Sequence, residues 1–565
     1  MRKRRLGLPV AALAGAALVV TACAAPGQHA ALSSVAGPQE LNGQPAWWSY
    51  NRPADYHQVV EQIKVPLRDG TKLACQLSLP GTSATTVAPG RFPGIIENYY
   101  VYASMVEDNG QAQQTLDSGS AITPYFAQHG YAVLDCEMRG TGTSGGQYPG
   151  CCERGPEPED GADLVEWMAR QSWSTGRIGM DGVSYGALAT LTTAALHPAH
   201  LDAIVPQQPP DSLYYDFAYP GGIQSTTDLE WPEDVQSTSG GRVSAAKIEQ
   251  TWDSHPNFDS YWQSLDFRST YAKVDTPTLL LVAGPNDQFF RRSLPELYPI
   301  FAQKKNTWLI TGPWLHGQWQ DLGGVETQNV PLGALLDWFD HWLMRKPGSS
   351  LPPRSQKLVA YQGPAGIGAG WQTLDDWPPS DVRPQTLYLN ANSTMTARPG
   401  AAGQQGYVSS DATLTTTSLP HQYVQFLSAP LSNDTVLAGQ VQVQLEASLN
   451  DTKGNFYAQL YDVAPDGTAS YVQDGQLSAS HRTSFSTSTP VTPGHVYTYS
   501  FSLSPIDYLF QRGHKIEIRF SGGGSDYLQP ADTRPVTTTL HLGGSGTFVR
   551  LPVRSAGCAS TSFSC

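Results

Sequence analysis

Basic residues are scarce. The chain of 565 residues has 35 Lys+Arg against 49 Asp+Glu and a formal charge of −14. That balance argues against nucleic acid or an anionic membrane surface as a partner, and says little about a substrate. Cysteine is rare, with 7 in all. None has C-x-x-C spacing and no His-rich cluster accompanies them, so no metal site, redox motif or cofactor is implied. There is no internal repeat and no second catalytic tract. The apolar run from Leu6 to Val20 is too short for an ordinary stop-transfer helix. Core-forming residues, by contrast, are plentiful. Hydrophobic residues make up 40%, with 14 Trp, 26 Tyr and 17 Phe. That content excludes global disorder, and the length implies about two to four domains.

The N-terminus reads M-R-K-R-R, then the apolar run, then Val20-Thr21-Ala22-Cys23. This is the pattern of an export signal. Cys23 after small residues resembles a bacterial lipobox, so residues 1–23 are expected to be a lipoprotein signal with Cys23 as the lipidation site. A plain secretory signal is the alternative. Residues 24–50 would be a tether and the start of the mature chain, joined to the membrane by the lipid alone and placed at a bacterial cell surface. Apart from Cys23, six cysteines remain: Cys75, Cys136, Cys151, Cys152, Cys558 and Cys565. An even number outside the cytoplasm permits disulfides, whose pairing the sequence leaves open.

From Tyr56 to His200, and again from about 273 to 346, strand and helix patterns alternate. Gly94–Glu97, Ala132–Leu134, Arg177–Met180, Thr278–Ala283 and Thr307–Thr311 read as buried strands. Asp160–Ala169, Ala187–Leu196 and Leu332–Leu343 read as helices. Such alternation means a parallel sheet covered on both faces. Residues 209–272 break the rhythm and read as an inserted, largely helical cap. After Lys346 the texture becomes short alternating strands with frequent turns, as in Gln440–Leu445, Phe456–Leu460 and His514–Phe520. The expected fold class is α/β. An α/β-hydrolase domain (51–208 and 273–346) with its cap precedes a C-terminal all-β jelly-roll sandwich (347–556) and a Cys-containing tail (557–565).

Gly182-Val183-Ser184-Tyr185-Gly186 is a G-x-S-x-G. Flanked by a strand and an alanine-rich helix, it has the context of a nucleophile elbow, with glycines where side chains would collide. The amide of Tyr185 would then face a developing oxyanion. The base and its orienting acid should follow in the order Ser, Asp, His. Asp287 and His316 each stand just past an apolar strand and complete that order. A second oxyanion donor is expected from the loop after an early strand. Tyr100 is the first choice, Tyr99 its rival, and a packing role is open for both.

These motifs resemble the serine-hydrolase family of X-Pro dipeptidyl-peptidases, cocaine esterase (CocE/NonD) and α-amino-acid ester acylases. Arg139-Gly140-Thr141-Gly142-Thr143-Ser144-Gly145-Gly146 is similar to the family's R-G-x-G-x-S-x-G loop, and Gly312–Gly317 to its G-P-W-x-H-G motif. Ser184-Tyr185 has its S-Y form, and Tyr508-Leu509-Phe510 with Gly513-His514 resembles its late jelly-roll strands. The resemblance implies acyl transfer through an acyl-enzyme, an oxyanion-hole tyrosine at Tyr100, and a peptide or a small ester or amide as substrate. X-Pro dipeptidyl-peptidase action on extracellular peptides is the first expectation, and a carboxylesterase or acylase the alternative. A non-catalytic surface lipoprotein is a distant third. Asp211, Tyr214, Tyr215, Glu230 and Trp314 are candidates for substrate contact, with Asp216 and Asp234 as further carboxylates for an α-ammonium. The family pattern departs in two places. No proline precedes Tyr99-Tyr100, and the cap is shorter than in many relatives.

Overall fold

The computed structural model describes residues 44–100, 119–148, 155–225, 236, 244–317, 329–346, 349, 357–409, 422–523 and 535–554. The side chains of residues 98, 100 and 119–121 are excepted. The expectations on Cys23, Glu230, Asp234, Cys151, Cys152, Cys558 and Cys565 lie outside these residues.

The catalytic half is built on one sheet. Its strands are β1 (His57–Pro66), β2 (Lys72–Ser83), β3 (Thr86–Val87), β4 (Phe92–Tyr100), β5 (Ala132–Glu137), β6 (Ser174–Val183), β7 (Leu201–Gln207), β8 (Thr278–Val282), β9 (Thr307–Thr311), β10 (Leu358–Gln362) and β11 (Gly370–Leu374). They lie in the order β1-β2-β5-β4-β6-β7-β8-β9-β10-β11, with β3 on the side of β2. From β5 to β10 the pairs are parallel, while β1–β2, β2–β5 and β10–β11 are antiparallel. Every residue of β5, β8, β9 and β10 is buried. This is why these strands read as unbroken apolar runs rather than alternating ones.

Helices α1 (Gly119–Gln128), α2 (Glu157–Ala169) and α3 (Tyr185–Ala194) cover the sheet, followed in the cap by α4 (Ala245–Ser254), α5 (Ser260–Ser264) and α6 (Arg268–Tyr271). The described residues of the cap are mostly helical. Next come α7 (Ser293–Phe301) and α8 (Leu332–Phe339), the latter continuing through a π turn to Met344.

One strand pairing was not read from the sequence. Strands β10 and β11 lie past residue 346 yet extend the catalytic sheet, through pairs such as Leu358↔Leu309. The Pro/Gly/Ser-rich stretch before them has the composition of a linker, which hid the return to the sheet. Near its start the described chain packs on the same sheet. Trp47 and Trp48 are buried, and Trp48 packs against Trp371 of β11 at 4.7 Å between ring centroids. Aromatic burial of that size outweighs the surrounding small residues.

The C-terminal domain begins at Val382–Leu389 and has two antiparallel sheets, of nine and four strands. Their inner faces share one apolar core that includes Leu445, Phe456, Ile518 and Val549. Alternating burial in strands such as Gln442–Leu449 gives the expected sandwich geometry. A disulfide joins Cys75 of β2 to Cys136 of β5, which are directly opposed in the antiparallel ladder.

Candidate active site

Strand β6 runs straight into α3, and Ser184 occupies the corner with φ 58° and ψ −117°. A non-glycine residue there is strained, and such strain persists only where its surroundings enforce it. The flanking glycines are required by space. A Cβ on Gly182 would come within 2.7 Å of the Gly186 carbonyl carbon. The amide of Tyr185 opens α3, where helix amides lack partners within the helix.

Asp287 lies on the loop after β8 and is fully buried. One carboxylate oxygen accepts hydrogen bonds from the amides of Phe289 and Phe290, both at 2.8 Å. The other accepts from His316 Nδ1 and from Gln208 Nε2, both at 2.9 Å. Four donors thus occupy the lone-pair sites of one carboxylate. His316 sits on the loop after β9, and its Nδ1 contact leaves Nε2 as the nitrogen for proton transfer. The two loops meet backbone to backbone, since a Cβ on Gly284 would lie 1.5 Å from the Gly312 oxygen. Asn286 Nδ2 donates to the Pro313 carbonyl at 2.8 Å, and the His316 amide donates to Gln288 Oε1 at 3.2 Å.

Gln208 escaped the sequence reading. It follows β7, is fully buried, and has φ 48°. Besides Asp287, its Nε2 donates to the Leu315 carbonyl at 3.2 Å, and its Oε1 accepts from the Gly317 amide at 2.7 Å. One side chain therefore joins the acid to the loop of the base. The usable signal was its position, immediately past a short apolar strand.

Aromatic rings surround the histidine. Phe289 and Phe290 present their rings nearly perpendicular to His316, at 4.9 and 5.0 Å. Phe217 of the cap reaches Phe289 at 5.3 Å.

The expected substrate contacts are placed otherwise. Asp211 is buried and paired with Asp216, whose carboxylate also accepts the Asp211 amide at 2.9 Å. Burial, and each other's charge, push Asp211 well above the usual carboxylate range. Tyr214 is buried in the cap, stacked on Tyr219, with its hydroxyl on the Pro256 carbonyl. Trp314 is buried against Trp371 at 6.0 Å. Asp211 and Tyr214 are drawn into the core of the cap, and Trp314, on the loop after β9, packs against β11. Tyr215 is half-buried, between Phe258 at 4.9 Å and Phe485 of the sandwich at 5.3 Å. Tyr99 is buried, and its hydroxyl donates to Asp160 at 3.3 Å. Tyr100 closes β4, with its backbone beside Glu137 of β5.

The sandwich touches the acid loop directly. Arg291 pairs with Asp474 at 2.7 Å, and Gln473 Nε2 donates to the Pro285 carbonyl at 3.1 Å. Tyr471 donates to the same aspartate at 2.7 Å.

A doubly covered parallel sheet, a strained serine at a strand-to-helix corner and an Asp–His pair on the following loops define a serine hydrolase of the α/β-hydrolase fold. Two family models match the chain. The X-Pro dipeptidyl-peptidase (S15 family) model covers residues 69–247 and 233–318, and that of the X-Pro dipeptidyl-peptidase C-terminal non-catalytic domain covers 350–551. The chain belongs to this superfamily, as a CocE/NonD-type serine hydrolase acting through an acyl-enzyme on a peptide- or ester-bearing substrate. A Mycobacterium bovis protein named as a serine esterase is 26% identical, over 82% of this chain and 90% of that protein. Cocaine esterase of Rhodococcus sp. is 23% identical, over 82% and 91% respectively. Among solved structures, an aminopeptidase from the marine sediment archaeon Thaumarchaeota archaeon superposes with a TM-score of 0.75. Its identity is 18%, covering 93% of this chain and 100% of that one.

Proposed function

We propose that the chain is a carboxylesterase or acylase for substrates with an apolar acyl group, a reading placed ahead of X-Pro dipeptidyl-peptidase action. In this reading Ser184 is the nucleophile, His316 is base and then acid, and Asp287 fixes the imidazole tautomer. The Tyr185 amide and the Tyr100 phenol would receive the oxyanion. The observation that carries the choice of substrate is the cluster of Phe217, Phe289 and Phe290 around His316. An exopeptidase needs a carboxylate free to hold the substrate ammonium, and of the cap candidates among the described residues Asp211 and Asp216 are closed into a buried pair. The esterase names of the two relatives above support the same choice. The dipeptidyl-peptidase reading keeps the support of the family description.

The test is kcat/KM of residues 24–565 on three substrates: an Ala-Pro anilide with a free amino terminus, its N-acetylated form, and a phenyl ester of an apolar acid. Ser184→Ala is the blank. Brisk ester turnover with indifference to acetylation is expected. Strong preference for the free amine would overturn the esterase assignment. The lipobox at Cys23 and the buried Cys75–Cys136 bridge support an exported, lipid-anchored enzyme.

A further inference from the structure

A cavity of about 270 Å³ lies between α2, α3 and the cap, with Tyr185 in its lining. Its walls are mostly apolar, with Leu188 from α3 and Leu213 and Phe267 from the cap. Glu157, the first residue of α2, also lines it. Its side chain is buried at 7% exposure, and its Oε1 has no hydrogen-bond partner. A buried carboxylate oxygen without a partner is costly, and native proteins retain few of them. Neither the Asp287–His316 pair nor Gln208 borders this cavity.

We propose that the cavity is a second ligand site, which takes a small organic ammonium with its amine on Glu157 and its apolar body against Leu188, Leu213 and Phe267. The volume is at the low end for ligand pockets and suits a ligand with one ring. The charged groups around Glu157 come from each neighbouring element. Glu159 and Asp160 stand on α2, Arg139 on the loop after β5, Tyr185 on α3 and Tyr99 on β4. Lys273 follows the cap helices and is exposed at the cavity wall. Burial raises Glu157 to about 7 in spite of the nearby helix amides and Arg139. The carboxylate is therefore ready to ionise for an incoming cation. An ammonium would complete a charge-assisted hydrogen bond that a neutral isostere cannot.

The experiment is calorimetric titration of Ser184→Ala with 2-phenylethylamine and with 2-phenylethanol, at pH 6 and pH 8. The amine is expected to bind about tenfold tighter than the alcohol at pH 8 and more weakly at pH 6. Glu157→Gln should erase that preference, and Thr192→Trp, which fills the cavity from α3, should abolish binding of both. Wild-type enzyme blocked at Ser184 by an organofluorophosphate should bind the amine as tightly as unblocked Ser184→Ala does. Undiminished amine preference in Glu157→Gln, loss of binding in the blocked enzyme, or no binding at millimolar amine would each overturn the proposal. Because blocked enzyme is compared with Ser184→Ala, this site can fail while the esterase reading stands, and the reverse.

Discussion

At the scale of single residues, Asp287 and His316, which the structure joins at 2.9 Å, were legible because each stands alone after an apolar strand and chain order did the rest. Gln208 was not, since glutamine carries no chemical signature and its role depends on two loops remote in sequence. Its side chain donates to Asp287 at 2.9 Å and accepts from the Gly317 amide at 2.7 Å. Gln208→Leu keeps the size and removes both bonds together with that to the Leu315 carbonyl. A hydrogen bond to a charged group contributes about 1.5–3 kcal/mol. If that support acts on the transition state, kcat falls about 10- to 100-fold with KM little changed. Steady-state kinetics at saturating ester would check this, and wild-type kcat would make Gln208 a packing residue alone. The misplaced substrate candidates have a related cause. Composition shows that the cap carries Asp211 and Tyr214, but not whether they face a pocket or each other.

At the scale of elements, strands buried on both faces announced themselves, and β5, β8 and β9 lie where apolar runs predicted. What could not be read was sheet membership across a linker-like stretch, past which β10 and β11 extend the catalytic sheet. The middle strands carry a less visible feature. Asp181 on β6 is fully buried, and Gln207 of β7 donates to it. Burial raises its carboxyl to about 8. On β4 and β5, Glu97 and Asp135 are buried and raised as well. The native state therefore holds a proton on Asp181 that the unfolded chain releases near pH 4. Stability from this group is complete below the unfolded value and is lost as pH rises through about 8. Asp181→Asn is neutral throughout and can still accept from Gln207. Urea unfolding should show the variant roughly 5 kcal/mol more stable than wild type at pH 8.5, with the difference gone near pH 4. A difference independent of pH would mean that Asp181 is ionised in the fold.

At the scale of the whole molecule, the sandwich holds the loop that bears Asp287. The Arg291–Asp474 pair is largely buried, with side chains 18% and 4% exposed. Removing one partner leaves the other charge stranded and costs about 3–5 kcal/mol. Arg291→Met should therefore lower both the melting temperature and kcat. Arg291→Met combined with Asp474→Leu should recover much of the stability while kcat stays low. Full recovery of kcat in the double variant would show that the pair serves folding alone. Packing of the sandwich on the catalytic domain was to be expected, but not the residues of this contact, because Pro285 and Gln473 stand 188 residues apart. A ribosome moving at about 5–20 residues per second takes roughly 10–40 s to cover that distance. Throughout that interval the nucleophile has been made and the hand that steadies its acid has not. If the contact is needed for turnover, the nascent chain is its own zymogen, matured by completion of the chain rather than by a cut.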